Sequence, residues 1–439
     1  MLRMQNNYAE NSVRMRVKKA KAKRREETSQ MVTSIPPIVY IAPEVHSWNR
    51  FYQDYIMDSG IAVFNTLPSF NTDGSSTCFL EALQAVTLAS SANQLRQSPL
   101  MVRARRHYGT AIVTLKATLD DPRRVGDDSI LIALFLLSLY EIIVAEAITA
   151  VSTDPNLQCQ IHFHGVLALL QWRAKHAQDS ELDRGVFVFF CHIALMSMFV
   201  NYEPCDAKWS ALESFSNPWA NQPLEPILAR AVDFKRRART RVFLRVDRPP
   251  SEDVLQLIED GISISEDLKN VAANIRAANS TLPSYQRSTA FNNMLEISTK
   301  TTEAIARNLY QVVRYHTIEL ILGLIAFVKD ELDGTDCKNA YPMVPSNCIS
   351  ILDEICESIC GILGLGNNCD VEDNSKGMGY RVYCTFWPMV ILLFSPLVEE
   401  EKRVWIEDKL RYMGETTGFG MATWSVKMAK SVHVVLPKR

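Results

Sequence analysis

The spacing of apolar residues from Phe51 onward is the feature that most limits how this chain can fold. Apolar side chains recur every three or four residues, the period of an α-helix with one buried face. The stretch Leu100–Leu119 shows it on one broad face, made of Val102, Tyr108, Ala111, Ile112, Leu115 and Leu119. Convincing alternation of polar and apolar residues, the pattern of strands, is absent. The sequence therefore predicts an all-α fold of roughly a dozen helices.

Helix boundaries are also visible in the sequence. Asp120-Asp121-Pro122 cannot continue a helix, because proline lacks a backbone N–H and its ring clashes with the preceding turn. Asp127-Asp128-Ser129 then supplies capping oxygens, which predicts a helix over Ile130–Ile148. The same reasoning predicts helical stretches at Phe79–Asn93, Gln160–Ala174, Leu182–Val200, Leu224–Val246, Glu252–Asn279, Ala290–Leu332, Asn347–Leu363, Gly377–Leu397, Glu399–Met413 and Gly418–Lys430.

Composition divides the chain into two parts. Residues 1–50 are polar and basic, and then carry Pro36, Pro37 and Pro43. This composition predicts a disordered basic arm and linker. A single large multi-helix domain is expected over residues 51–435.

The arm concentrates positive charge. Residues 14–25 read RMRVKKAKAKRR, with no acidic residue. The cations are Arg14, Arg16, Lys18, Lys19, Lys21, Lys23, Arg24 and Arg25. Beyond residue 25 the chain holds 38 basic and 48 acidic residues, a formal charge of −10. A basic arm on an acidic body is typical of a nuclear-import signal or a nucleic-acid contact, although many such runs are only solvated tails. A second cluster, Lys235–Arg241, is interpreted as the solvated face of a helix.

No residue pattern predicts catalysis, a cofactor or a metal ion. The ten cysteines are spread singly, mostly in apolar runs, as reduced buried thiols are. Cys356 and Cys360 lie one helical turn apart, but no second pair completes the tetrahedral set that structural zinc needs. Gly-x-Ser-x-Gly and complete dinucleotide-binding motifs are absent. We therefore expect that the protein is not an enzyme.

Apolar runs are too short to predict a membrane span. The longest, Ile130–Tyr140, ends at Glu141, whereas a span needs about 20 apolar residues. Val186–Val200 is interrupted by His192, and Trp387–Leu397 contains two prolines. These runs are expected to be buried core segments, and no membrane partner is expected.

A series of short motifs follows in a fixed order along the helical part. The motifs are Phe51-x3-Tyr55, Leu67-Pro68, the Ala-rich Leu83–Ala89, the set Ala104, Tyr108, Ala111 and Leu115 ahead of Leu119-Asp-Asp-Pro122, the aliphatic helix Ile130–Glu141, the His162-x2-Gly165-x4-Leu170 segment ending at Arg173, Trp387-Pro388, Trp405-Ile406 and Gly414–Ala422. In order and spacing they resemble the regulatory domain of fungal zinc binuclear cluster transcription factors. One departure is Ala174, where that family usually has glycine.

The family's six-cysteine zinc module has no counterpart here, since the first cysteine is Cys78. In the family, a basic segment like Tyr8–Arg25 commonly follows the zinc cluster directly. Three explanations stay open: a gene model that misses its first exon, a true truncation, or a protein that works without reading DNA itself.

The resemblance implies a nuclear, pathway-specific transcription regulator, tied to a fungal secondary-metabolite cluster. Its helical domain would control dimerisation or the docking of a co-regulator or partner transcription factor, and a small-molecule effector fits the same scheme. The basic arm would serve import and at most weak, non-specific contact with nucleic acid, so that sequence-specific DNA binding is indirect or lost. The alternative hypothesis is a helical scaffold or small-molecule sensor that regulates a partner without binding DNA.

Overall fold

α-Helices form almost all of the described chain in this computed structural model, and no strand occurs within the described ranges. The structure describes residues 13–24, 41–57, 64, 67–68, 76–121, 123–148, 162, 165–166, 168–169, 172, 193, 196, 199, 224–240, 251–281, 300–328, 343–365 and 376–435. The predicted all-α class is confirmed.

The helices are numbered in chain order. They are α1 (residues 13–24), α2 (Pro43–Phe51) continued by a π-helical turn (Tyr52–Ile56), α3 (Thr77–Leu95), α4 (Ser98–Leu119), α5 (Asp128–Ile148), α6 (Leu224–Ala238), α7 (Ser251–Thr281), α8 (Lys300–Val328), α9 (Met343–Ile362), α10 (Met378–Phe394), α11 (Glu400–Thr417) and α12 (Gly420–Val435). The chain divides into two compact units, Met1–His46 and Ser47–Arg439.

Part of the segment predicted as a disordered arm is helical. Residues 13–24 form α1, and α2 begins at Pro43. Lys, Arg, Ala and Met favour helices, and proline is well suited to the first helical position because its φ angle is already fixed. These residues are therefore helical where the composition predicted a disordered arm and linker. The domain boundary predicted at residue 50 stays a prediction.

Helix α5 is buried on all sides. Every described side chain from Ile130 to Ala145 is buried except the half-buried Ser138. A helix that is apolar all round needs neighbours around its whole circumference, and α5 packs against both α3 and α12. Its N-terminus is capped as predicted, since Asp127 Oδ1 accepts a hydrogen bond from the backbone N–H of Ser129 (2.9 Å).

Helix α4 follows the predicted face with two exceptions, Val102 and the last residue of the helix, Leu119, which is 38% exposed. Ala104, Ala111 and Leu115 are buried, whereas Val102 is 65% exposed. At about 100° per residue, position 102 lies on the side of the helix opposite these three residues. The placement of Val102 on the buried face is therefore wrong.

Helix α8 is the centre of the C-terminal half. It packs against α6, α7, α9 and α10. Its buried residues include Val312, Val313, Ile321 and Leu324, spaced as a helical core face requires. The helix therefore connects most of the elements in this half of the body.

The end of α11 is fastened to the end of α3. Gly418 ends α11 at φ +70°, a conformation that favours glycine. The Asn93 side-chain amide donates to the carbonyls of Ile143 (2.8 Å) and Gly418 (2.9 Å). Gln94 Nε2 donates to the Thr417 carbonyl (3.0 Å). Residues more than 300 positions apart are thereby joined.

The Phe51 and Tyr55 motif is a packing element. The two rings stack with centroids 4.6 Å apart, and Phe64 continues the aromatic cluster at 6.1 Å from Tyr55. On α10, a Cβ atom at Gly379 would lie 2.5 Å from the Tyr55 ring. The close approach of α10 to this cluster therefore requires glycine.

Two described helical stretches are long and apolar enough to cross a membrane by length and composition. They are Asp128–Ala145 and Glu303–Val328, of which 89% and 61% are buried inside the body. The nearly complete burial of Asp128–Ala145 is what the core helix of a folded domain shows.

Candidate functional site

The strongest positive charge predicted from the sequence lies on α1. Every residue of this helix is exposed, and it contains no acidic residue. The structure places seven of the eight predicted cations on it, namely Arg14, Arg16, Lys18, Lys19, Lys21, Lys23 and Arg24. Arg25 lies outside the described residues.

The cations are distributed around α1 and not confined to one stripe. At about 100° per residue, Arg14, Lys18 and Lys21 share one side, and Arg16, Lys19 and Lys23 share the opposite side. The apolar residues Val13, Met15 and Val17 are all at least half exposed. A membrane-surface helix needs a continuous apolar face, and α1 lacks one. Its chemistry is that of a short cationic rod suited to phosphate oxygens or acidic side chains.

The second basic cluster has a structural role in the described residues. Lys235 is buried and donates to the Phe199 carbonyl, with its ammonium group 5.1 Å from the centre of the Phe199 ring. Arg237 pairs with Asp233 and Asp260, both at 2.8 Å. The interpretation of this cluster as a solvated face is wrong for Lys235, because the residue points into the helix packing.

A buried polar triad lies where three of the sequence motifs meet. Tyr108 on α4 donates its hydroxyl to Glu141 Oε1 on α5 (2.9 Å) and lies 3.0 Å from His162 Nε2. The same His162 nitrogen is 3.1 Å from Glu141 Oε1. Glu141 and His162 are only 5% and 6% exposed. The Tyr108, Glu141 and His162 motifs, separated in sequence, therefore form one hydrogen-bonded cluster.

The surroundings of this triad indicate a role in stabilising the fold. The Tyr108 ring stacks on Tyr140 with centroids 4.5 Å apart, and burial raises the pKa of Tyr140 to about 12. The Tyr140 phenol is therefore neutral at physiological pH. The near-complete burial of Glu141 and His162 leaves little room for a substrate. We assign the triad to the specification of how α4, α5 and the His162 segment pack.

Two of the described cysteines, Cys348 and Cys356, are not activated nucleophiles. Cys78, Cys348, Cys356, Cys360 and Cys384 are free thiols. Burial raises the pKa of Cys348 and that of Cys356 to about 11, which keeps these two thiols protonated and unreactive. Within the described ranges, no group of three or more His, Cys, Asp or Glu side chains is placed to hold a metal ion.

Gly165, the glycine of the His162-x2-Gly165 motif, is not needed for close helix packing. It lies in a helix beside Leu134 of α5, but a Cβ atom there would meet the Leu134 side chain at 3.5 Å, an ordinary contact. The packing at this position therefore does not require glycine. His164, the neighbouring motif residue, lies outside the described residues.

Polar residues between α8 and α9 escaped the sequence analysis. Asn308 and Gln311 are buried on α8, next to a cavity of about 360 Å³. The stretch that holds them, Ala290–Leu332, was predicted only to be helical, from apolar residues that recur every three or four positions. Their periodicity could have shown that both fall on one face, but the sequence does not show what that face meets.

Comparison with known proteins identifies no relative: no protein-family model matches the chain, and neither the curated proteins nor the solved structures give a match.

Proposed function

We propose that this protein is a nuclear transcription regulator that acts through its all-α body, with α1 as a cationic arm for import and for weak contact with nucleic acid. The observation that carries the proposal is α1 itself: seven cations, no acid and complete exposure on one helix. The body beyond residue 25 has a formal charge of −10, so that the arm is the part of the chain suited to polyanions.

The mechanism follows from the charge distribution. Lysine and arginine side chains displace counterions from phosphates, which gives binding that depends strongly on salt and weakly on sequence. Side chains on opposite sides of α1 can reach two phosphate rows or the acidic grooves of an import receptor. The helical body supplies the surface for a co-regulator, a partner transcription factor or a second copy.

The finer description rests on the resemblance to fungal zinc-cluster regulators. On that basis the protein would be pathway-specific and tied to a secondary-metabolite cluster. The alternative hypothesis, a helical scaffold or sensor that does not bind DNA, is favoured by a separate observation, the polar cavity between α8 and α9.

The decisive test is localisation of a fluorescent fusion of the full chain in a fungal host. One variant replaces Lys18, Lys19, Lys21, Lys23, Arg24 and Arg25 with Ala. The control variant removes six exposed cations from the body, at Arg103, Arg105, Arg106, Lys116, Lys269 and Lys430. We expect loss of nuclear accumulation in the first variant only. Unchanged accumulation in the first variant, or a cytoplasmic unaltered protein, would contradict the proposal.

A second variant separates charge from helical structure. Ala20→Pro breaks the middle of α1 and keeps every cation. Import receptors that bind an extended chain should accept it, so that nuclear accumulation is expected to persist. Binding to a duplex of random sequence, followed by fluorescence anisotropy between 50 and 200 mM salt, should weaken steeply with salt for the unaltered protein (about −0.9 in log–log slope per phosphate contact). The six-alanine variant should lose most of this slope.

A further inference from the structure

The cavity between α8 and α9 is open to solvent on one side, where Glu354, Glu357 and Gly361 of its lining are exposed, and it is lined by both polar and apolar side chains. It occupies about 360 Å³, within the range of small-molecule sites. Its lining residues are Thr301, Ala304, Arg307, Asn308 and Gln311 of α8, and Glu354, Ile355, Glu357, Ser358, Gly361 and Ile362 of α9. On each helix they recur every three or four residues, so that one stripe of each helix faces the other.

Asn308 is the most informative residue of this cavity. Its side chain is 1% exposed, and neither its Nδ2 nor its Oδ1 has a hydrogen-bond partner in the protein. Buried amides almost always have partners, and an amide without one is costly. An amide presenting one unused donor beside one unused acceptor therefore indicates a binding partner from outside the chain.

Two neighbours extend the unused hydrogen-bonding capacity. Gln311 is 8% exposed, and its Nε2 donates to Glu354 Oε2 at 2.8 Å. That bond fixes the orientation of the amide and leaves Gln311 Oε1 as a buried acceptor without a partner. The Ser358 hydroxyl, from the opposite helix, is also buried and without a partner. Gly361, one turn further along α9, leaves open space because a Cβ atom there would meet nothing within 4 Å.

We propose that this cavity binds a small neutral molecule with an amide edge, that is, an N–H donor adjacent to a C=O acceptor, as in a lactam, a primary carboxamide or a nucleobase. Such an edge pairs with the Asn308 carboxamide through two parallel hydrogen bonds, the geometry in which asparagine recognises adenine. Gln311 Oε1 and the Ser358 hydroxyl serve further polar atoms of the ligand. Acidic Glu354 and Glu357 lie together with basic Arg307 around the cavity, which does not favour a strongly charged ligand of either sign. The site does not depend on the nuclear role proposed above.

The probes that test this site are uracil and nicotinamide, which both carry an amide edge. Their controls are 1,3-dimethyluracil and N,N-dimethylnicotinamide, in which methyl groups replace the N–H donors. We expect at least one probe to raise the melting temperature of the full chain in a concentration-dependent way, and its methylated control to have no effect. Absence of an effect with both probes, or an equal effect with the methylated molecules, would overturn the proposal.

Variants locate the binding. Asn308→Leu removes both polar atoms at similar volume and should weaken probe binding at least tenfold. Gln256→Leu, which removes an exposed amide from α7, should leave binding unchanged. If Asn308→Leu binds the probe as well as the unaltered protein, the proposal is wrong. If Asn308→Leu is more stable and no probe binds the unaltered protein, only water meets the amide, and the proposal is also wrong.

A second variant tests the same cavity in case Asn308→Leu does not fold. Gly361→Leu fills the space from the α9 side, where the backbone leaves room for a side chain. We expect this variant to fold and to lose probe binding. Full binding by Gly361→Leu would place the probe elsewhere and overturn the proposal independently.

Discussion

The triad at Tyr108 and the cavity at Asn308 bury polar groups in opposite ways. In the triad, the Tyr108 hydroxyl, Glu141 Oε1 and His162 Nε2 lie within 3.1 Å of one another, so that these three atoms have partners inside the protein, whereas the second carboxylate oxygen, Glu141 Oε2, has none. Beside the cavity, the Asn308 amide is equally buried and has no partner in the protein. The difference teaches that burial of a polar residue does not by itself mark a functional site. The Asn308 amide differs from the triad in that both of its polar atoms lack a partner in the protein and that it lies beside a space of ligand size.

The largest expected effect comes from breaking the triad. Glu141→Ala removes the carboxylate that accepts from the Tyr108 hydroxyl, leaves the buried His162 ring without its acidic partner and opens a cavity. We expect a loss of about 3 kcal/mol in the free energy of unfolding, measured by urea denaturation. Glu259→Ala, an exposed glutamate on α7, is the control and should change stability by less than about 0.5 kcal/mol. A loss below about 1 kcal/mol for Glu141→Ala would show that the triad does not support the fold.

A matched pair of asparagines sharpens the comparison. Asn93 donates two hydrogen bonds to backbone carbonyls, at 2.8 and 2.9 Å. Asn93→Leu should therefore destabilise the protein by about 2 kcal/mol. Asn308→Leu removes an amide that bonds to nothing in the protein, and it should be neutral or stabilising without ligand. Thermal melting of both variants tests this pair. Equal losses would mean that the Asn308 amide is satisfied in the free protein.

The third prediction concerns Lys235, a buried cation on α6. Its pKa is lowered to about 7, mainly by burial and in addition by nearby Arg239, while Glu319 partly opposes the shift. The unfolded chain keeps the ordinary value of 10.5. Between these two pH values the unfolded state binds more protons than the folded state, so that this residue makes stability rise with pH. Below pH 7 both states are protonated and the contribution no longer changes.

The test compares the unaltered protein with Lys235→Met between pH 7 and 9. The unaltered protein should gain up to about 1 kcal/mol per pH unit relative to the variant. Buried Cys348 and Cys356, whose pKa values are raised, act in the opposite direction, but they are common to both proteins and cancel in the difference. Parallel pH profiles would show that Lys235 keeps its ordinary pKa in the folded protein.

The smallest effect is expected on the basic arm. The six-alanine variant of α1 removes exposed side chains, and its melting temperature should stay nearly that of the unaltered protein, since surface changes usually stay within about 0.5 kcal/mol each. Circular dichroism should show α1 retained, because alanine is the strongest helix former. A large loss of stability would mean that the arm is part of the folded core.

Much of the fold could be predicted from local sequence signals. Asp127 and the aliphatic run after it predicted α5 to within two residues of its observed start, because capping and a continuous apolar surface are local properties. The helix at residues 13–24 was not predicted, because the high charge of this segment indicated disorder. Lysine, arginine and alanine also have high helix propensity, and that propensity agrees with the observed helix. Val102 was wrongly predicted on the buried face of α4, because this helix carries apolar residues on its exposed side as well.

The sites were less predictable than the helices. The charge of α1 is a property of neighbouring residues, so it was visible in the sequence. Tyr108, Glu141 and His162 were each recognised within a motif, but their meeting depends on how three helical segments pack. The sequence could place Asn308 and Gln311 on one face of a helix but could not show what that face meets, since an asparagine in a helix looks the same whether it faces solvent or a cavity. Whether Asn308 faces solvent or a cavity depends on the packing of α9, which lies about 40 residues further along the chain.

The fastening of α11 to α3 has a consequence for how the protein is made. Asn93 and Gln94 emerge from the ribosome more than 300 residues before their partners Gly418 and Thr417. During translation, which adds about 5–20 residues per second, the end of α3 therefore waits on the order of tens of seconds for the surface that covers it. Buried α5, which packs against α12, waits equally long with its apolar residues uncovered on that side. Production of this protein should therefore depend on chaperones that protect nascent chains, and shortening it at the C-terminus should harm solubility more than removing the basic arm.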